Sequence, residues 1–366
     1  MDVAQLAKAK NESARTDAQW ESLLRDLKLT EDKCQKLQSV TDTLEGVIRG
    51  VCTSLPGEAP PKLEIAKSSY PEEKAVLLFS DAQIGSYVSK YYTAGLCGYD
   101  KTEYAKRIKR LTKNALEVIR IQRGGGIPVK QLQIHVLGDI VQGESVFPGQ
   151  AFQLDALLLE QSLVLAQKIV DDVFIPLSRE FEKVEILCVP GNHGRQGGPY
   201  NASRMANWDY VTYFTWMMRM QEFSHVKFYI SASPFLIYDL FPGQTHALIH
   251  GNQAKGWLGY PYYGIDRLFH RLTSLAGMYI MYLHHGHHHQ PSIQDTHIGR
   301  KVGNGSIEGG SDYSVGDLTT ANVPQQHFCG FNAKGVTWEY WLRLADQPKM
   351  KKDAATGLFT PTMEFH

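Results

Sequence analysis

Five short apolar runs along the chain end in the same kind of residue. "KAVLLFSD" (residues 74–81), "LQIHVLGD" (132–139), "VEILCVPGN" (184–192), "HALIHGN" (246–252) and "MYIMYLHHGH" (278–287) each carry a strand-length apolar stretch, then small residues and an Asp, Asn or His. Runs this short and this apolar are strands buried on both faces, the signature of a sheet covered by layers on either side. Between the first two lies "DKTEYAKRIKRLTKNALEVIR" (100–120), with Asp100 and Glu103 spaced as a capping box and Tyr104, Ile108, Leu111, Ala115 and Ile119 on one helical stripe. Strand, helix, strand defines an α/β fold, in which chemistry gathers beyond the carboxyl ends of the strands. "GVTWEYWLRL" (335–344) alternates like a strand of a second, more antiparallel sheet.

The flanking segments set the domain plan. Residues 1 to about 55 read as helices: "TDAQWESLLRDLKL" places Trp20, Leu23, Leu24 and Leu27 on one stripe, and "TEDKCQKLQSVTDTLEGVIRG" repeats the pattern up to Gly50. "SLPGEAPPKLE" breaks it with three prolines. The plan is a helical extension and linker over 1–60, a catalytic body over 61–345 and a tail over 346–366. The extension either folds back on the body or pairs with a second copy, making a homo-oligomer.

Charge balances at 38 basic and 38 acidic residues, so bulk electrostatics impose no nucleic-acid or membrane partner. Five scattered cysteines favour free thiols over a disulfide framework. The polar N-terminus has no apolar signal core and no run reaches the roughly 18 residues of a membrane span, so a soluble, cytoplasmic protein is expected.

The strand ends supply, in order, Asp81 and Gln83, Asp139, Asn192 and His193, His250, and the "GHHH" of Gly286 to His289. Carboxylates, amide oxygens and imidazoles without thiolate suit manganese, iron, zinc or magnesium. One carboxylate can bridge two cations about 3.5–4 Å apart, an arrangement that clamps both oxygens of a phosphoryl displacement. This order resembles the calcineurin-like metallophosphoesterase superfamily, D-x-H, GD, GNH, H and GHxH, with "VGNGS" (302–306) similar to the turn that follows the last motif.

The resemblance implies a four-layer α/β/β/α sandwich with a dinuclear centre at its rim. The first metal would take Asp81, Gln83, Asp139 and His289, and the second Asp139, Asn192, His250 and His287. His193 would stand unliganded over the scissile phosphate as transition-state stabiliser or general acid. In "HHGHHH" only His287 and His289 would ligate: His288 would point away, and of His284 and His285 one would face the core and one the rim. Three positions depart from the family pattern. Gln83 replaces a histidine, Gln142 replaces the aspartate that orients the catalytic histidine, and Gly194 stands where an acid is common. Glu144 or a backbone carbonyl must then orient His193, and manganese, which accepts oxygen ligands, is the expected metal, with iron, zinc and magnesium as alternatives.

Aromatic and basic residues flank the motifs: "GSYVSKYY" (85–92), "GRQGGPYN" (194–201), "GNQAKGWLGYPYYG" (251–264), and the cations Lys101, Lys106, Arg107, Lys109, Arg110 and Lys113, partly on one exposed helix face. Flat rings beside cations suit nucleobase stacking. The reading is a phosphodiesterase or nuclease acting on nucleic acid or nucleotides, similar to SbcD-type nucleases and phage-encoded relatives, a resemblance that also admits an ATPase partner. The alternatives are a small-molecule or protein phosphomonoesterase, and an assembly or binding protein with a weakened metal site.

Overall fold

The computed structural model describes residues 49–63, 69–196, 205–255, 261–297 and 299–347, with a few positions outside these ranges. It divides into two compact units, Met1–Val51 and Cys52–His366. Trp20, Leu23 and Leu24 lie outside the described residues, as do Trp257 and Tyr260.

In the larger unit one sheet runs β11-β10-β1-β2-β3-β4. β1 (Glu73–Phe79), β2 (Val129–Val136), β3 (Lys183–Cys188) and β4 (Val226–Ile230) are parallel, while β10 (Gln325–Asn332) joins β1 antiparallel and β11 (Gly335–Arg343) joins β10 antiparallel. The strand "GVTWEYWLRL" is therefore antiparallel as expected, but it belongs to the sheet of β1. It forms that sheet's edge, where residues on both of its faces are half-buried. The second sheet runs β5 (Phe235–Phe241), β6 (Gln244–Ile249), β7 (Tyr282–His285), β9 (Arg300–Gly303), β8 (Ser292–Asp295), with β6, β7 and β9 parallel.

Strand alternation assigns each face. On β1, Ala75, Leu77 and Phe79 pack toward helices, against Tyr104, Ile108 and Leu111 of α1 (Lys101–Gly124). Val76 and Leu78 point the other way and meet Leu240, Leu248 and Val302 of the second sheet. That sheet's far side, through Ala247, Ile249 and Leu283, packs on Ile265, Phe269 and Leu272 of a helix over Tyr262–Ala276. The layers are α/β/β/α, as the resemblance implied. Each fully buried Leu, Ile or Phe is worth about 1.5–3 kcal/mol, so the seam through Val76, Leu78, Leu240, Leu248 and Val302 holds the two sheets face to face.

Asp100 caps α1, accepting from the backbone N–H of Thr102 and Glu103 at 2.8 Å each. The reciprocal half of the expected box is not formed, because the Glu103 carboxylate pairs with Lys106 at 2.9 Å. Arg107 was expected among exposed cations and is instead buried, donating to the carbonyls of Ile307 and Gly98 at 2.8 Å each. The proline-rich stretch lies along the body, where the Leu55 N–H donates to the Arg219 carbonyl at 2.9 Å. Among the described residues no helix is long and apolar enough to cross a membrane.

Candidate metal centre

The candidate ligands stand in the turns that leave the strands: Asp81 and Gln83 after β1, Asp139 after β2, Asn192 and His193 after β3, His250 after β6, His287 and His289 after β7. Among the described residues seven non-glycine residues have positive φ, and five of them are Asp81, Gln83, Asp139, His287 and His289. Such a conformation costs on the order of 1–3 kcal/mol per residue and persists where the surroundings enforce it, typically at functional sites. The glycines of the motifs bring the turns together. A Cβ on Gly191 would meet Asp139 Oδ1 at 2.1 Å, and one on Gly286 would meet Asp81 Oδ2 at 2.5 Å.

One cluster centres on His250. Its Nδ1 donates to the Leu137 carbonyl at 2.7 Å, which turns Nε2 toward the site. Around that Nε2 stand Asp139 Oδ2 at 3.0 Å, Asn192 Oδ1 at 3.1 Å and His287 Nδ1 at 3.2 Å. The ligand atoms of Asp139, His250 and His287 all lie within 4.8 Å of one another. An amide oxygen, a carboxylate and an imidazole nitrogen converging as acceptors repel unless a cation sits among them. The His250 imidazole shows that demand: despite burial, the charge and hydrogen bond of Asp139 raise its pKa to about 9. Burial, reinforced by the nearby His250 charge, pushes His287 down to about 3, keeping it in the neutral form a metal requires. Asp139, against the burial penalty, is held well below the usual carboxylate range by His250 and His193.

The second cluster is looser. His289 Nε2 lies 3.4 Å from Asp81 Oδ1, and Asp81 accepts from Ser80 Oγ at 2.6 Å and from the His287 N–H at 3.1 Å. Gln83 donates through Nε2 to Asp139 Oδ2 at 3.3 Å, and its own Oε1 is a buried acceptor with no hydrogen-bond partner. A buried amide oxygen without a donor is costly, and a cation is the partner that fits it. Among the described residues, Asp139, His250 and His287 form a cluster whose donor set suits a divalent ion.

His193 stands at the rim. Its N–H donates to Asp139 Oδ1 at 2.7 Å, and its Nδ1 donates to the Gln142 carbonyl at 2.9 Å, which turns Nε2 toward the centre, 4.0 Å from Asp139 Oδ2. Of the two orienters the sequence offered, the backbone carbonyl fills the role. Glu144 instead accepts from the Leu158 N–H.

His284 turns into the seam between the sheets, its Nδ1 3.1 Å from His135 Nδ1. His285 was expected at the rim if His284 faced the core, but it is only 3% exposed and packs beside Gly303. Burial lowers it to about 4. His288 packs edge-on against His287, with ring centroids 4.9 Å apart.

Two residues escaped the sequence reading. Asp209, fully buried in the first turn of the helix Trp208–Arg219, accepts from the N–H groups of Asp139 (3.1 Å), Ile140 (3.1 Å) and Gly191 (2.8 Å). It ties two ligand turns to one carboxylate. Burial, then the charge of Asp139, raises it to about 6. In sequence it looks like any acid favouring a helix N-terminus. Glu308, also buried, faces His289 Nδ1 at 3.7 Å and accepts from Ser86 Oγ at 2.5 Å. Its only signal is its place two residues after "VGNGS".

The geometry defines a four-layer α/β/β/α protein with an Asp/Asn/Gln/His cluster at the rim of its paired sheets. No protein-family model and no curated protein matches the chain. Solved structures align at low scores. Vps29 of Entamoeba histolytica, complexed with zinc, shares 12% identity over 73% of this chain and 92% of its own, at a TM-score of 0.34. An archaeal phosphodiesterase shares 9% over 73% and 99%, at 0.32. A 5'-nucleotidase of Staphylococcus aureus, described as putative, shares 12% over 77% and 56%, at 0.36. Likeness at this level assigns no activity.

Proposed function

We propose that the chain is a dinuclear metal-dependent phosphoesterase that hydrolyses phosphodiester bonds of nucleic acid or nucleotides. The observation that carries this reading is the convergence of acceptors around His250 Nε2 with His193 beside them. Asp81, Gln83, Asp139 and His289 would hold one divalent ion, and Asp139, Asn192, His250 and His287 the other, with manganese expected. Two such ions supply Lewis-acid polarisation of a phosphoryl oxygen and neutralise developing charge.

The chain's own residues do the rest. Asp209 and the glycine turns hold the ligands in strained conformations before substrate arrives. His193, its ring fixed through Nδ1, presents Nε2 to hold a proton for the leaving oxygen. The substrate class rests on the flanking rings. Tyr87, Tyr92 and Phe152 are 48%, 71% and 92% exposed, and the Tyr87 N–H donates to the Gln153 carbonyl at 2.9 Å, which joins the two ring-bearing loops next to Gln83. Large rings left in water beside a phosphoryl site suit base stacking.

A second reading, an assembly or binding protein whose cluster holds a structural cation, is favoured by the neutral Gln83 in place of a stronger ligand. Hydrolysis of bis-p-nitrophenyl phosphate and p-nitrophenyl phosphate during a manganese titration separates them. Metal-dependent turnover of the diester supports the proposal, preference for the monoester points to a phosphomonoesterase, and no turnover of either favours the binding role.

A further inference from the structure

Glu308 sits behind the looser of the two clusters, and nothing in the proposed chemistry uses it. It is 5% exposed, and the segment that carries it is stitched in place: the Ile307 N–H donates to the Asp81 carbonyl at 3.1 Å, and Arg107 donates to the carbonyls of Ile307 and Glu308. Arg107 places those donors on backbone carbonyls, and its charge acts on the Glu308 carboxylate only through space. Ser86 Oγ fixes Oε1 at 2.5 Å, and Oε2 faces His289 Nδ1 at 3.7 Å, ion-pair range but longer than a hydrogen bond. The other nitrogen of the same ring, Nε2, faces Asp81 Oδ1 at 3.4 Å.

We propose that Glu308 is the positioning carboxylate of His289, holding the ring so that Nδ1 carries the proton and Nε2 is offered to the first metal. The inference rests on the dinuclear reading above. A ligating imidazole usually gives its second N–H to a carboxylate or carbonyl, which fixes its tautomer and raises its basicity, and losing that partner typically weakens metal binding about 10–100-fold. Of the ligating histidines, His250 already has such a partner, donating through Nδ1 to the Leu137 carbonyl. His289 has Glu308 alone. The placement also answers the weakness at Gln83. A neutral amide adds no charge to the first set, and a third carboxylate one imidazole away restores negative potential there without competing as a ligand. Ser86, three residues beyond Gln83, links the same turn to Glu308.

The test is calorimetric titration of Mn2+ into the metal-stripped full chain, comparing the wild type with Glu308→Gln and Ser86→Ala. Two classes of site are expected in the wild type. Glu308→Gln should weaken the weaker class about 10–100-fold and leave the tighter class within about twofold. Ser86→Ala keeps the carboxylate and frees its orientation, so it should give a smaller loss confined to the same class, and it carries the test if Glu308→Gln does not fold. Two wild-type classes that both variants leave unchanged would overturn the positioning role while sparing the dinuclear reading. A wild type that binds no cation would overturn both.

Discussion

Asp209→Asn tests whether the metal centre is held together from behind. In the native protein Oδ2 takes the N–H groups of Asp139 and Gly191, and Oδ1 takes that of Ile140. Asparagine has one carbonyl oxygen. Placed toward the Asp139–Gly191 pair, it leaves the Ile140 N–H facing an amide NH2; turned round, it abandons two donors. At least one buried donor is left unpaired, at about 1–3 kcal/mol, and the remaining bonds lose their charge assistance. Part of this returns, because the substitution removes a buried charge that burial and Asp139 disfavour, as its pKa of about 6 records. The net expectation is a destabilisation of about 1–2 kcal/mol in urea unfolding of the metal-free protein, with unchanged m-value. Manganese affinity should fall as well, since Asp139 and the turn before Asn192 lose their common anchor. A variant with wild-type midpoint and wild-type manganese binding would refute the anchoring role.

Three further outcomes are expected. His193→Ala should keep full metal content and lose about 10²–10⁴ in turnover of a diester, as for removal of a positioned proton donor; loss of metal in elemental analysis would show that His193 ligates. Gln83→His should tighten the weaker manganese class and shift preference toward zinc, whereas unchanged affinities would place Gln83 outside the ligand set. The third concerns His135, His246 and His284, fully buried between the sheets, whose pKa values burial depresses well below the ordinary 6.5. A depressed folded pKa means that their neutral form costs nothing above pH 6.5, while below it the unfolded chain takes up protons that the folded chain refuses. Stability should therefore fall as pH drops from 6.5 to 5.5, by up to about 1.4 kcal/mol per histidine per pH unit. Urea midpoints in chelator at the two pH values check this, and equal midpoints would contradict it.

The alternation of strand and helix was legible because it rests on local pattern, whereas the four-layer arrangement came from the family resemblance. Alternation on β1 separates Leu77 from Leu78, and each motif sits within a few residues of its strand. The partners of the ligand turns were not legible, because they arrive from far along the chain. Asp209 reaches Asp139 across 70 residues and Glu308 reaches Ser86 across 222, and neither has a local mark that distinguishes it from a surface acid. The sheet membership of β11 was missed for a related reason. Alternation states that a strand has one wet face, but only its pairing with β10 says which sheet it extends. Arg107 looks like its exposed neighbours Lys106 and Lys109, and the difference lies in the carbonyls of Gly98, Ile307 and Glu308 that accept from its guanidinium.

The central claim is that Asp139 lies between two cations. Anomalous diffraction from crystals grown with Mn2+ tests it most directly. Two manganese peaks about 3.5–4 Å apart are expected, both in contact with Asp139, one also with Asp81 and His289 and the other with Asn192, His250 and His287. A single peak, two peaks that do not share Asp139, or none at saturating manganese would contradict the account.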